Sequence, residues 1–225
     1  MPIHDFSFAS HAPQFEEHIK ASIPSYEQLM EKCVGLSRRF VQNGTSVIDL
    51  GCTTGKLLAA IRKQNEASRP NASYLGIDIE AKFKPFWRQR RASNIRFVRD
   101  DIVNCRFYAI SYASSLFTLQ FIPSANKLPL LRRIHEGLVE GGGFFIAEKV
   151  LASTSRLQDA LTYPYYDFKL RQFSEREVLD KERSLRGQMT LWTEDELRKA
   201  LRMVGFKELE AVWGDFPFLA ILAIK

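Results

Sequence analysis

The sequence predicts an α/β domain built on a mostly parallel seven-stranded sheet that ends in an antiparallel hairpin. Three observations lead there. Between residues 46 and 150, short β-branched or apolar runs alternate with segments of helical periodicity, the pattern of strand–helix repeats. The first run leads straight into a turn bearing two glycines, Gly51-Cys52-Thr53-Thr54-Gly55. At the C-terminal end two strand-like runs follow one another with only a turn between them, so they pair antiparallel.

Taken in order, residues 1–40 form a helical cap carrying Phe6, Phe8, Phe15, Ile19, Ile23 and Tyr26. The core spans 41–150. Residues 46–50 are the first strand, and 56–63 a helix with Leu57, Leu58 and Ile61 on one face. Residues 74–79 are the second strand, followed by a basic helix with aromatic punctuation. Strands are expected at 95–98 and from 113 to 121. A helix over 128–138 is expected to stop at Glu140 and the glycine triplet Gly141-Gly142-Gly143, with a fifth strand at 144–150. Residues 151–192 read as a helical insertion. Thr193-Glu194-Asp195-Glu196 is a capping box that opens a helix ending at Gly205. Strands at 208–213 and 218–224 follow, joined by Gly214-Asp215-Phe216-Pro217, which is strong turn chemistry. No linker divides the chain, so residues 1–225 are taken as one domain.

Composition closes off several classes of function. With 45% apolar and 26% charged residues, a chain of 225 residues buries a core without disulfide or metal support. Cys33, Cys52 and Cys105 are widely spaced and form no CxxC or Cys/His cluster, so neither a disulfide framework nor a metal site is expected. His4, His11, His18 and His135 give no catalytic pair, and His135 is read as structural. The N-terminus lacks a basic-then-apolar leader, and the apolar run 218–224 is too short to span a bilayer. A soluble, cytoplasmic protein without a membrane partner is the expectation. The net charge is +6, and Lys82, Lys84, Arg88, Arg90, Arg91, Arg96 and Arg99 form a stretch without an acid. It is read as a solvated helix face, with a landing surface for RNA as the alternative that is not favoured.

The chemistry concentrates at the ends of the first three strands. Gly51 and Gly55 allow the backbone after the first strand to approach a ligand without a Cβ in the way. Their G-x-x-x-G spacing is not the G-x-G-x-x-G of pyrophosphate-binding turns, and no P-loop lysine follows. A close ligand without a pyrophosphate suits the amino-acid part of S-adenosylmethionine. Asp78, ending Leu75-Gly76-Ile77-Asp78, is placed to accept hydrogen bonds from ribose hydroxyls. Asp101-Ile102 is placed to bond the adenine amino group and cover its ring. These signals in register point to a Rossmann-like class I methyltransferase fold that binds S-adenosylmethionine.

The chain resembles, nearly end to end, the carboxy-S-adenosylmethionine synthases of the tRNA wobble-uridine pathway. The resemblance is carried by Phe6-Ser7-Phe8, Pro24-Ser25-Tyr26, Asp49-Leu50-Gly51-Cys52, Gly76-Ile77-Asp78, Asp101-Ile102, Phe117-Thr118-Leu119-Gln120-Phe121, Glu148-Lys149, Asp167-Phe168-Lys169 and Ala223-Ile224-Lys225. It implies that Tyr26, Gly51, Cys52, Thr53, Asp78, Ile79, Asp101 and Ile102 line the cofactor site, and Gly55 and Phe117 are taken as cofactor-site candidates beside them. It further implies carboxylation of S-adenosylmethionine with prephenate as the carboxyl source, in a homodimer. The family's carboxylate-holding arginine aligns with Glu182, one place before Arg183, and its asparagine before Phe-Thr-Leu-Gln-Phe aligns with Leu116. Arg183 is the catalytic candidate for the carboxylate.

The insertion also carries Tyr163, Pro164, Tyr165 and Tyr166, whose rings are expected to face the sulfonium through cation–π attraction. That arrangement leaves other small-molecule reactions open: cyclisation to azetidine-2-carboxylate with release of methylthioadenosine, or methyl transfer. A further alternative is a non-catalytic cofactor-binding partner of an RNA-modifying enzyme.

Overall fold

The computed structural model describes residues 15–225. Phe6-Ser7-Phe8, His4 and His11 lie outside the described residues. The cap consists of helices α1 (Phe15–Ser22) and α2 (Tyr26–Phe40). In α2, Leu29, Cys33, Ser37 and Phe40 recur at helical spacing and are buried together. The core follows as β1 (Ser46–Leu50), α3 (Lys56–Asn65), β2 (Ser73–Asp78), α4 (Lys84–Gln89), β3 (Ile95–Arg99), β4 (Ile110–Leu116), α5 (Ser124–Gly137) and β5 (Leu138–Leu151). The insertion forms α6 (Ser155–Lys169) and α7 (Glu175–Leu185). The chain closes with β6 (Trp192–Thr193), α8 (Glu194–Met203), β7 (Glu208–Asp215) and β8 (Phe218–Ile224).

The seven main strands run in the order β3-β2-β1-β4-β5-β8-β7, with the two-residue β6 pairing β5 off that path. Pairings from β3 to β5 are parallel, whereas β8 lies antiparallel to both β5 and β7. The order reverses between β1 and β4. In open α/β sheets, ligands bind at such a switch point, outside the carboxyl ends of the strands.

Alternation along the central strands sends side chains to two cores. On β5, Phe144 and Ile146 join Leu130, Leu131 and Ile134 of α5 and Leu197 and Leu201 of α8. Phe145 and Ala147 point to the opposite face, onto Leu29, Cys33 and Phe40 of α2 and Leu57, Leu58 and Ile61 of α3. A strand buried on both faces is apolar at successive positions rather than alternating, as Phe144-Phe145-Ile146-Ala147 is.

Several boundaries move from their sequence-based places. The fourth strand ends at Leu116, not Phe121. Phe117 adopts φ 56°, and residues Leu119–Phe121 make a 3₁₀ turn. The apolar Phe-Thr-Leu-Gln-Phe string reads as a strand, but the carboxylate of Glu148 captures the Leu119 and Gln120 N–H groups at 2.9 and 2.7 Å. Helix α5 ends at Gly137, and the glycine triplet lies inside β5, where Gly141 at φ 72° accompanies an irregularity in the pairing with β4. The final hairpin turn narrows to Phe216-Pro217, because Gly214 and Asp215 still pair with Leu219 and Phe218. The capping box of α8 is present as expected: Thr193 Oγ1 accepts from the Glu196 N–H, and Glu196 Oε2 accepts from the Thr193 N–H. His135 packs edge-on to Phe206, its ring centroid 5.0 Å away, beside Gly205.

Candidate functional site

The turn after β1 takes its shape from two positive-φ glycines, Gly51 at 75° and Gly55 at 78°, with Thr53 at 46° between them. The Gly51 and Cys52 N–H groups donate to the Ile77 carbonyl, so the turn folds back over the end of β2. The glycines answer to packing as well as to φ. A Cβ at Gly51 would meet Thr118 Oγ1 at 2.2 Å, and one at Gly55 would meet the Phe97 ring at 2.5 Å. The protein's own packing therefore requires both glycines, and Gly51 also borders the cavity described below.

Asp78 locks this turn from below. Its Oδ2 accepts from the Thr53 N–H and its Oδ1 from the Glu80 N–H, both at 2.8 Å. Burial raises its pKa, while those two bonds oppose the rise. Trp87 Nε1 donates to the Thr53 carbonyl at 2.7 Å, fixing the turn from α4. Asp101 Oδ1 accepts from the Val103 N–H and starts the 3₁₀ turn that presents Ile102. Ile79 is 63% exposed although apolar, and it borders the same space. Glu16 of α1 reaches over the turn to Thr54 (3.1 Å) and Lys56 (2.7 Å).

Asp49, on β1, is fully buried and bonds the Ser114 hydroxyl at 2.7 Å; burial pushes its carboxyl up to about 7. On the far side of the turn, Phe117 stacks edge-on to Phe218 at 5.5 Å and lies 6.5 Å from Tyr26. Glu148 organises the backbone behind Phe117, and Gln120 Oε1 accepts from the Lys149 N–H at 2.9 Å. Burial pushes the Glu148 carboxyl up to about 8.

The insertion supplies the opposite wall. Tyr165 packs edge-on to Phe218 at 5.4 Å, and its hydroxyl donates to the Ser22 carbonyl at 3.0 Å. Its ring carries two ammonium groups, Lys169 at 4.8 Å and Lys149 at 5.2 Å. Of the tyrosines expected at the sulfonium, Tyr165 borders the cavity with these two lysines of the chain over its ring. Tyr163 is 70% exposed and stands away from the cavity. Tyr166 also lies off the cavity lining, 5.7 Å from Lys169. Arg183 projects into solvent beside Asp180, at 3.4 Å, and does not border the cavity; Glu182, one place earlier on α7, does. One residue on a helix turns a side chain by about 100°, which separates the two.

These walls enclose one cavity of about 950 Å³. Tyr26, Gly51, Cys52, Thr53, Asp78, Ile79, Asp101, Ile102, Phe117 and Tyr165 border it; Gly55 supports it from behind. Sequence reasoning missed Glu16, Asp49, Lys149, Lys169, Lys181 and Glu182, which border it too. Lys149 and Lys169 stand in segments that carry the resemblance, Glu148-Lys149 and Asp167-Phe168-Lys169, but only the fold brings the end of β5 against α6 and α7. Asp49 was legible as the acid in the strand preceding Gly51. Among the described residues, no group of His, Cys, Asp and Glu is disposed to hold a metal ion. Among those residues, no helix is long and apolar enough to cross a membrane.

Comparison with known proteins agrees with this geometry. A family profile described as "Methyltransferase domain" matches residues 48–144, the span from β1 to β5. The fold aligns with the crystal structure of human N-acetylserotonin methyltransferase in complex with SAM at a TM-score of 0.60 and 18% identity, over 96% of this chain and 56% of that one. Fold, cavity and profile define an S-adenosylmethionine-dependent, transferase-like enzyme of the class I methyltransferase superfamily. The chain is 30% identical to the carboxy-S-adenosyl-L-methionine synthase of Haemophilus ducreyi over 228 residues, covering 98% of this chain and 93% of the relative. It is 29% identical to the synthase of Staphylococcus epidermidis over 216 residues, covering 95% and 93%. It belongs to the carboxy-S-adenosyl-L-methionine synthase family.

Proposed function

We propose that this enzyme makes carboxy-S-adenosylmethionine from S-adenosylmethionine, with prephenate as the carboxyl source. The observation that carries the reading is the single cavity of about 950 Å³ running from the glycine turn to the insertion. That volume lies at the upper end of small-molecule sites, roughly 300–1,000 Å³, and leaves room for a second small molecule beside the cofactor.

The residues present fit the cofactor. After one N–H bond each, the two Asp78 oxygens keep acceptor capacity for the ribose hydroxyls. Asp49 offers a carboxylate for the α-ammonium, and the Gly51–Thr53 backbone offers polar groups at close range. Ile79 and Ile102 supply apolar cover for the adenine ring, and Asp101 an acceptor for its amino group. Tyr26 and Phe117 enclose the amino-acid end.

When bound, S-adenosylmethionine supplies a sulfonium-activated carbon. The chain's own part is to position that carbon against the co-substrate and exclude water. Tyr165 holds α6 to the cap through Ser22 and so closes the site. In this reading the chain works as one cofactor-binding domain, in the cytoplasm and as a homodimer, on small molecules and not on nucleic acid.

Mass spectrometry of products after incubation with S-adenosylmethionine, with and without prephenate, tests the reading. A carboxylated product formed only with prephenate is expected. Methylthioadenosine with azetidine-2-carboxylate, formed without prephenate, would replace the proposal with ring closure. An unchanged cofactor in both incubations would refute both.

A further inference from the structure

The insertion wall of the cavity has an unusual charge arrangement. Lys149 lies near the end of β5, Lys169 ends α6, and Lys181 sits on α7, and all three border the cavity. Lys169 is almost wholly buried, with its side chain 7% exposed, and its Nζ lies 3.2 Å from Glu182 Oε1. Lys149 makes no salt bridge among the described residues; its Nζ lies over the Tyr165 ring, which it shares with Lys169. Taking ammonium groups out of water is costly unless charge or hydrogen bonding compensates. For Lys149 and Lys169 the compensation is one shared ring and one carboxylate, Glu182, which bonds Lys169 and also acts on Lys149. Burial lowers the pKa of Lys149, opposed by Glu182, and brings Lys181 down to about 8, and in both cases the neighbouring Lys169 adds to the lowering. An anion entering the cavity would relieve Lys149 and Lys169.

We propose that Lys149, Lys169 and Lys181 form a carboxylate-binding subsite for a small dicarboxylic acid, with Glu182 as the resident counterion that the incoming carboxylate displaces from Lys169. This rests on the reading above that the cavity holds a co-substrate beside the cofactor. It assigns the recognition of that co-substrate to lysines, not to Arg183, which points to solvent. Two carboxylates match the wall better than one, because a single carboxylate replacing Glu182 on Lys169 leaves Lys149 as it was. Glu182 then sets selectivity: it competes with weak monoanions and yields to a dianion that engages two lysines at once.

The test uses the full chain saturated with S-adenosylmethionine and titrates malonate, with acetate as the monocarboxylate, by calorimetry at low salt. Malonate is expected to bind, and Lys149→Met to weaken it by about tenfold or more, with Lys149→Arg recovering part of the loss. Glu182→Gln is expected to tighten malonate severalfold and to narrow the margin over acetate. Thermal melting confirms that each variant is folded, and because Lys169 is buried, Lys149 and Glu182 carry the test.

Equal malonate affinity in the parent and Lys149→Met overturns the subsite, as does acetate binding as tightly as malonate. Absence of malonate binding to the parent overturns it too. Product analysis separates this from the reading it rests on. Lysine-dependent malonate binding without carboxylated product would leave the subsite standing and remove the reaction. Carboxylated product with an unchanged KM for prephenate in Lys149→Met would do the reverse.

Discussion

Substituting Gly51 by alanine tests whether the cofactor turn has the shape described. Two costs apply. At φ 75° an L-residue sits in the left-handed region, which costs about 1–2 kcal/mol. The new Cβ would also lie 2.2 Å from Thr118 Oγ1 and 2.8 Å from its Cγ2, so the threonine must move. Moving it breaks the bond from Thr118 Oγ1 to the Leu50 carbonyl, now 3.0 Å, at a further cost of about 1 kcal/mol. Gly51→Ala should therefore destabilise by about 2–3 kcal/mol. Thr118→Ala alone should cost about 1 kcal/mol, the lost hydrogen bond.

The double variant removes the Oγ1 and Cγ2 contacts, leaves only the tight 3.0 Å approach to the Cβ of residue 118, and loses the same bond only once. It should be no less stable than Gly51→Ala alone, a coupling of at least about 1 kcal/mol. Denaturant unfolding without ligand, followed by tryptophan fluorescence, reads all four states, and Trp87 reports on the turn through its bond to Thr53. Simple additivity of the two single changes, or a Gly51→Ala variant as stable as the parent, would refute the packing argument.

Asp78→Asn leaves one good acceptor for two facing N–H groups and removes the charge offered to the ribose. Titration calorimetry should show affinity for S-adenosylmethionine falling by about 10- to 100-fold; an unchanged affinity would contradict the assignment. Asp49 gives a pH dependence: its raised carboxyl, at about 7, is protonated in the folded chain and ionised in the unfolded one between about pH 4 and 7. Its stabilising contribution is full below that window and lost as pH rises through it, by at most about 1.4 kcal/mol per pH unit. Unfolding free energies at several pH values should show this slope shrinking in Asp49→Asn, and an unaltered slope would exclude Asp49 as its source. Glu148→Gln turns an amide toward the Leu119 or Gln120 N–H and should lower stability by about 1–3 kcal/mol, measured as a fall in Tm.

Much of the fold was written in local signals. The strand-then-turn at residues 46–55, the capping box at Thr193 and the two final strands each follow from patterns that stay local, and each appears in its expected place. The misplaced boundaries share a cause. Phe117–Phe121 is apolar enough for a strand, yet a carboxylate 29 residues away in sequence takes its N–H groups. Gly141–Gly143 looks like a helix stop, yet pairing with β4 draws it into β5. The site divides in the same way. Asp78, Asp101 and the glycine turn were legible because they sit at strand ends in sequence order. The lysine wall was not, because Lys149 and Lys169 meet over Tyr165 only after α6 folds back across β8. Arg183 was chosen by alignment alone, and its neighbour Glu182 takes the inward position because a helix turns with each residue.

The most direct test of the central claim follows the carboxyl group itself. Purified enzyme would be incubated with S-adenosylmethionine and prephenate carrying ¹³C in its carboxyl groups, and the nucleoside product read by mass spectrometry. The account predicts a carboxylated cofactor bearing one labelled carbon. A carboxylated product without label, or a labelled prephenate that remains intact beside unchanged S-adenosylmethionine, would contradict it.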